Sequence, residues 1–378
     1  MSKRYYFDHA STTAILPEVL EAMLPYFSDN FGNPSSRHSE GVEARKAVDQ
    51  ARKIIAEILN CKPREIVFTS GGTEANNLAI LGVNKATKAQ HLITSNIEHS
   101  SVHECCEELK KEGTNITQLK IDQEGLLTPQ QLEEAITPET KLCSIIYANN
   151  EIGTVQNIAE LGQICQEHKI LFHSDACQAA GACSLDTQDL NLDLMTLNAG
   201  KIYGPKGVGL LFVKEGTPIK PIILGGNQEQ GLRSGTLNVP AIVGLARALE
   251  IAQTNRQTES QRLSQLRDQA IEKLQASIPS LKLNGHPSQR LPNNINITIP
   301  RIDADNLILL LDQEGIAISA GSACDSDSTK ASRVLTALGL TEDQCNSSIR
   351  ITLGKTTSEE DIDYLVAKLS NIYQQLSK

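Results

Sequence analysis

From Asn33 to about Arg256 the chain alternates short, almost wholly apolar runs with helix-spaced stretches, and this pattern limits the fold more than any other feature. Ala44, Val48, Ala51, Ile55 and Ile58 step by four and three, which predicts a helix over 40–59. Residues 65–68 read as a strand, followed by Gly71-Gly72 and another helix. Further strands are expected at 91–94, 116–121, 142–147, 171–174, 194–197 and 208–213, with helices at 129–136 and 158–168. Apolar strands alternating with helices argue for a largely parallel sheet covered on both faces. Residues 238–278 read as one long helix or a broken pair, and as the connection between domains. Beyond it the texture changes. Residues 294–299 and 348–353 alternate apolar and polar, as half-exposed strands do. Helices are expected at 304–313, 332–338 and 358–376, with a short strand at 316–319, giving an α+β unit.

With Lys+Arg 35 against Asp+Glu 45, the formal net charge is −10, so the chain has no general electrostatic pull on nucleic acid or anionic membrane. No apolar run is long enough to span a bilayer, and the start lacks the apolar stretch of a signal peptide; a soluble, cytoplasmic protein is expected. The 9 cysteines are odd in number and scattered, with no Cys-x-x-Cys and no His-Glu-x-x-His, so neither a disulfide scaffold nor a metal site is expected. Most of these cysteines sit among apolar residues and read as small buried hydrophobes.

Four segments carry chemistry. In Thr69-Ser-Gly-Gly-Thr-Glu-Ala-Asn-Asn77 a strand ends in a glycine pair that opens a helix bearing a hydroxyl. Bare N–H groups at a helix N-terminus cradle anions, phosphate above all, though a plain Thr-capped turn fits equally well. In His173-Ser-Asp-Ala-Cys-Gln178, Asp175 falls at the carboxyl end of an apolar strand, where ligands bind in such folds. A carboxylate there needs a cation: a protonated pyridine nitrogen, or more commonly a structural Arg or Lys. Lys201 follows a strand and a glycine, and a lysine in a partly dry site becomes a nucleophile toward aldehydes; a surface turn with solvated lysines is the plainer reading. Taken in order, anion cradle, strand-end carboxylate and lysine are what pyridoxal phosphate requires. Finally, Cys324 lies in Ser319-Ala-Gly-Ser-Ala-Cys-Asp-Ser-Asp327, a stretch too small and polar to form core, which suits either a loop nucleophile or an incidental thiol. Asp325 and Asp327 would raise its pKa.

Together these segments resemble the cysteine desulfurases of the NifS/IscS type, class V, fold-type I pyridoxal-phosphate enzymes. The resemblance spans the chain through Tyr6-Phe-Asp-His-Ala-Ser-Thr-Thr13, Gly32-Asn-Pro-Ser-Ser36, Glu98-His99, Asn149-Asn-Glu-Ile-Gly153, Lys201-Ile-Tyr-Gly-Pro-Lys-Gly207, Arg233-Ser-Gly-Thr236 and the segments above. The Ser-x-Gly-Ser-Ala-Cys form resembles group I members rather than group II. It implies an α/β fold of the PLP-dependent transferase type I: a large domain, 14–256, with a mostly parallel seven-stranded sheet, and a smaller α+β domain, 1–13 plus 257–378, carrying the cysteine loop at about 319–332. It implies that Lys201 holds the cofactor as a Schiff base and shuttles the Cα proton, and that Asp175 pairs with the pyridine nitrogen. His99 would stack on the ring and move the thiol proton, and Gln178 would bond the ring oxygen. Asn150 and Arg350 would take the substrate carboxylate. Gly72 and Thr73 would hold the phosphate, with Asn198 beside them, and Thr236 would reach the phosphate of a partner subunit, making the enzyme a homodimer. L-Cysteine would become L-alanine, with the sulfur carried as a persulfide on Cys324 to an acceptor such as an iron–sulfur scaffold; nitrogenase maturation, tRNA thiolation and thiamine supply are other destinations. No metal is implied.

The chain departs from the family pattern at several points. Asn198-Ala-Gly-Lys201 stands where Ser-x-His-Lys is usual, so Gly200 offers no side chain to the phosphate. Gln230 replaces an Arg and the stretch after Cys324 is acidic, and the family's scaffold-docking tail after the last helix is not expected here. Three rivals remain at this stage: a selenocysteine lyase or other class V lyase, which can dispense with Cys324; a class V aminotransferase, which would yield pyridoxamine phosphate; and a non-catalytic desulfurase-like partner protein.

Overall fold

The computed structural model describes residues 3–320 and 331–376. Its centre is a seven-stranded sheet whose spatial order is Ile66–Thr69, Gly209–Val213, Leu194–Asn198, Leu171–Asp175, Thr140–Ser144, His91–Ser95 and Asn115–Leu119. Gly209–Val213 runs antiparallel to both neighbours, and the other pairings are parallel. The mostly parallel sheet expected from the apolar runs is therefore present. Burial explains why those runs show no polar face. Ile66, Phe68, Ile93, Cys143, Met195, Leu197, Leu210 and Phe212 point into one core, against Ala44, Val48, Ile55, Ile242 and Leu245 of the helices Ser39–Ile58 and Val239–Thr254. The alternate residues Val67, Leu92, Leu142, Leu194 and Leu211 point into another, against Ala75, Leu78, Ala79 and Val102 of the helices Gly72–Thr87 and Ser100–Lys111. Period-two alternation with both faces buried leaves no polar stripe.

The long helical stretch is a pair, Val239–Thr254 and Arg256–Ser277, broken at Asn255. A third core follows. It gathers Leu266, Ala270 and Leu274 with Ile295, Ile297, Ile349, Ile351, Leu307 and Leu365, and Phe7 from the other end of the sequence joins it. Tyr5–Tyr6 pairs in parallel with Ile316–Ala317, and Asn294–Thr298 lies between Ser348–Thr352 and Lys282–Leu283 in an antiparallel sheet.

The half-exposed reading of those last strands is wrong. Every residue of Asn294–Thr298 and Ser348–Thr352 is buried. The polar alternates face protein rather than water: Asn294 and Asn296 donate to the Glu151 carbonyl, and Thr298 meets Asn284 and Ser348. A polar face that satisfies its hydrogen bonds internally looks in sequence like a solvated one. Of the cysteines, Cys105, Cys106, Cys143, Cys165, Cys177 and Cys345 are buried, Cys61 and Cys183 are partly so, and Cys324 lies outside the described residues.

Candidate active site

The carboxyl ends of Ile66–Thr69, Leu171–Asp175 and Leu194–Asn198 meet at one edge of the sheet. A cavity of about 190 Å³ opens there, lined by Gly72, Thr73, His99, Asn150, Asp175, Gln178, Asn198, Lys201 and Arg350 together with Ala10, Ser11, Asn76, Ser101 and Cys177. Nine of the residues singled out in the sequence are thus brought together. Thr236 is not among them; it is exposed. Its loop is tied back by Arg233, whose Nε donates to Glu74 Oε1 at 2.8 Å, and by Ser234, which donates to the Gly226 carbonyl at 2.6 Å. Arg52 and the Phe68 N–H hold buried Glu229 at the start of the same loop. Cys324 lies outside the described residues.

Gly72–Thr87 begins at Gly71, whose φ of 153° suits glycine, and no side chain caps its first turn. Its leading N–H groups are therefore left for an external anion. A Cβ on Gly72 would come within 2.8 Å of Cys177 Sγ, so the cradle is built to the size of glycine. Asn198 stands alongside: its Oδ1 accepts from the Gly200 N–H at 3.0 Å, which leaves the amide donors unspent. A neighbouring recess runs from Ser70–Glu74 past Asn198 and Gly200 to Lys206.

Asp175 is buried, and among the described residues its donors are neutral: Asn76 Nδ2 at 2.6 Å and the Cys177 N–H at 3.0 Å. A buried carboxylate held by neutral donors alone suits a cationic ligand atom. Asn76 Nδ2 also donates to Ser101 Oγ at 2.8 Å, which lies 2.7 Å from His99 Nδ1. The Ser101 N–H donates to that same Nδ1 at 3.1 Å, so Nδ1 accepts and the ring proton belongs on Nε2. Sequence reasoning gave Asn76 and Ser101 no part in this chain. The signal was spacing, because Asn76 lies four residues after Gly72 and so faces the same way.

Lys201 Nζ donates to the carbonyls of Ala10 and Ser11 at 2.8 and 2.6 Å, and Gln178 Nε2 donates to Ala10 at 2.9 Å. Lys201 also borders a second cavity of about 240 Å³, lined among others by His9 and Tyr203. Arg350 is buried at 2% exposure; Nη2 donates to Asp8 Oδ1 and Ser11 Oγ, both at 2.8 Å, and Nη1 to the Asn150 carbonyl at 3.0 Å. Its Nε is buried without a partner among the described residues, a donor that a ligand could use. Beneath the site, burial pushes the Glu98 carboxyl up to about 8, against the pull of its bonds from Ser95 and the Ile146 N–H. Burial raises the Cys177 thiol well above its ordinary value, which makes it a poor nucleophile. Among the described residues no cluster of metal ligands occurs.

An uncapped glycine-sized cradle, a buried carboxylate, a lysine and a buried arginine with a spare donor define a class, and comparison with known proteins agrees. Residues 5–365 match the family Aminotransferase class-V, and the chain belongs to that family. Within it, the chain is 46% identical over 379 residues to the cysteine desulfurase IscS of Clostridium botulinum strain Hall, covering 99% of this chain and 96% of that one. Among solved structures, a NifS-like protein superposes with a TM-score of 0.93 at 34% identity, covering 99% of this chain and 100% of the other. SspA in complex with cysteine superposes at 0.81 with 40% identity, over 93% and 99%.

Proposed function

We propose that this chain is a pyridoxal-phosphate-dependent cysteine desulfurase that moves the sulfur of L-cysteine onto Cys324 and releases L-alanine. The observation that carries the reading is the convergence, around one cavity, of Gly72, Thr73, His99, Asn150, Asp175, Gln178, Asn198, Lys201 and Arg350. The donor set fits the cofactor. Gly72, Thr73 and Asn198 would hold its phosphate, Asp175 its ring nitrogen and Gln178 its ring oxygen, and Lys201 would bond its aldehyde carbon. When bound, the group supplies an electron sink for the pair left at the substrate Cα.

The rest is work for the chain. Arg350 and Asn150 take the substrate carboxylate, with the unpartnered Arg350 Nε as the spare donor. Lys201 Nζ leaves the carbonyls of Ala10 and Ser11 to carry the Cα proton. His99, with its proton on Nε2, takes up or returns the proton of the substrate thiol. The Cys324 thiolate attacks the substrate sulfur: an S–S bond forms, the Cβ–S bond breaks with its pair passing to Cβ, and Cβ takes a proton. L-Cysteine and a thiol thus give L-alanine and a persulfide, and the balance closes without an external oxidant.

Residues 14–256 would act as the cofactor domain, and 1–13 with 257–378 as the smaller one; the shared core of Phe7 with Ile297, Ile351 and Leu365 supports the second grouping. Outward-facing Thr236, on a loop tied to Glu74, supports a homodimer in which it completes the partner subunit's phosphate site. The final acceptor would be a protein, such as an iron–sulfur scaffold. No described helix is long and apolar enough to cross a membrane, and a cytoplasmic location is proposed with the rest.

Two peptides test the reading. Borohydride reduction of the cofactor-loaded protein should fix the cofactor on the Lys201 peptide, and incubation with L-cysteine should add one sulfur to the Cys324 peptide. Turnover that survives Cys324→Ala would end the desulfurase reading in favour of a lyase.

A further inference from the structure

The two stretches of chain that flank residues 321–330 are both fastened to the substrate-binding wall. Upstream, Ser319 and Arg350 exchange backbone hydrogen bonds, Ser319 N–H to Arg350 O at 3.2 Å and Arg350 N–H to Ser319 O at 2.7 Å. Downstream, Ser332 Oγ donates to Glu151 Oε2 at 2.5 Å. Glu151 is the neighbour of Asn150. Both fastenings therefore end beside a residue assigned to the substrate carboxylate.

Glu151 is buried, at 5% exposure, and burying a carboxylate is costly unless it is hydrogen-bonded or paired, as Glu151 is by Ser332. The backbone of its loop has partners of its own. The Asn150 carbonyl accepts from Arg350, the Glu151 carbonyl from Asn294 and Asn296, the Ile152 carbonyl from Arg290, and the Gly153 carbonyl from the Leu291 N–H. The N–H groups of Glu151 and Ile152 are both taken by Asn149 Oδ1. The backbone is secured independently of the side chain, which reaches out to Ser332. Ser332 in turn accepts from the Leu335 N–H at 3.2 Å, so one hydroxyl caps the short helix Arg333–Ala337 and donates to the carboxylate.

We propose that Glu151 is a positioning residue for the sulfur-transfer step: through Ser332 it ties the chain just downstream of the Cys324 segment to the loop that presents Asn150 to the substrate. This rests on the desulfurase reading above. Glu151 touches neither the substrate nor the cofactor in this role; it fixes where one end of the nucleophile's segment begins.

The test uses the cofactor-loaded full chain with Glu151→Ala, Ser332→Ala, Ser332→Thr and the double alanine variant. Single-turnover sulfur loading of Cys324 should slow by about tenfold in each alanine variant, the scale of one lost hydrogen bond to a charged group. The affinity for L-cysteine, read from the absorbance change on mixing, should stay within about twofold. The double variant should be no slower than the slower single one, and Ser332→Thr, which keeps the hydroxyl, should match the parent. Trypsin cleavage after Lys330 should be faster in both alanine variants, a readout that needs no turnover. Additive losses, full-rate Glu151→Ala, weakened cysteine binding in place of slowed transfer, or unchanged cleavage would each overturn the anchoring role. A parent that loads no sulfur on Cys324 would overturn the desulfurase reading itself, whatever the cleavage shows.

Discussion

Arg350 and Asp8, 342 positions apart, form an ion pair of 2.8 Å in which the arginine side chain is 2% exposed and the aspartate 19%. The pair binds the amino-terminal stretch to the strand Ser348–Thr352, which carries Arg350. Removing one member of such a pair leaves a charge in a dry site. Asp8→Asn should destabilise the ligand-free protein by roughly 2–3 kcal/mol, toward the low end for buried pairs because Asp8 is partly wet. A carboxylate ligand then restores the missing charge, so L-cysteine should raise the unfolding midpoint of Asp8→Asn more than that of the parent. Equal ligand shifts in the two proteins would refute this account of Arg350.

The relay from Asp175 through Asn76 and Ser101 to His99 depends on one amide donating twice. Asn76→Ala leaves the Asp175 and Ser101 oxygens short of a donor and should cost about 1–3 kcal/mol in urea unfolding. Asn76→Asp should be worse, since it sets a second carboxylate within hydrogen-bonding distance of Asp175. If the aspartate variant proves the more stable, the relay is misassigned.

Glu98 carries a pH signature. Its folded-state pKa of about 8 lies above the ordinary carboxyl value, so the native state binds a proton that the unfolded chain releases. Stability from this group is present below the unfolded pKa and is lost as pH rises toward about 8, with a slope approaching about 1.4 kcal/mol per pH unit. Glu98→Gln keeps an acceptor for Ser95 and the Ile146 N–H but cannot ionise. The variant and the parent should unfold alike near pH 4 and diverge in the variant's favour by pH 8, as followed by chemical denaturation across that range.

Two glycines at the proposed phosphate cradle should behave oppositely. At Gly200 a Cβ would meet nothing closer than Asn198 Oδ1 at 3.6 Å, so Gly200→Ala should fold normally and gain about 0.4–1 kcal/mol through the unfolded chain. Gly72→Ala would press on Cys177 Sγ and should weaken cofactor binding, measured by absorbance titration. Adding Cys177→Ala makes room and should restore it. Failure of that rescue would mean that the contact with Cys177 is not what limits the cradle.

Sequence reading reached the fold because both faces of the main sheet are apolar, and the strand runs at 91, 171, 194 and 209 therefore stand out. It singled out Asp175, Lys201 and Gly72, which line one cavity, because each stands out at the end of an apolar run. It missed what depends on distant partners. Asp8 sits in a stretch singled out for resemblance, yet nothing local says that its partner lies at Arg350. Asn294 and Asn296 look solvated because their acceptor, the Glu151 carbonyl, is 143 and 145 residues away. Asn76 and Ser101 needed the packing of the Gly72–Thr87 helix on Ser100–Lys111 before their side chains could meet.

The carbonyls of Asn150 through Gly153 are all gripped by groups from the 290–296 stretch and from Arg350. A hinge that swung the antiparallel sheet away from the parallel one would have to break this whole row at once. The loop that holds Asn150 is in effect riveted rather than jointed: to shift it, the chain would have to give up bonds to the 290–296 stretch and to Arg350 together.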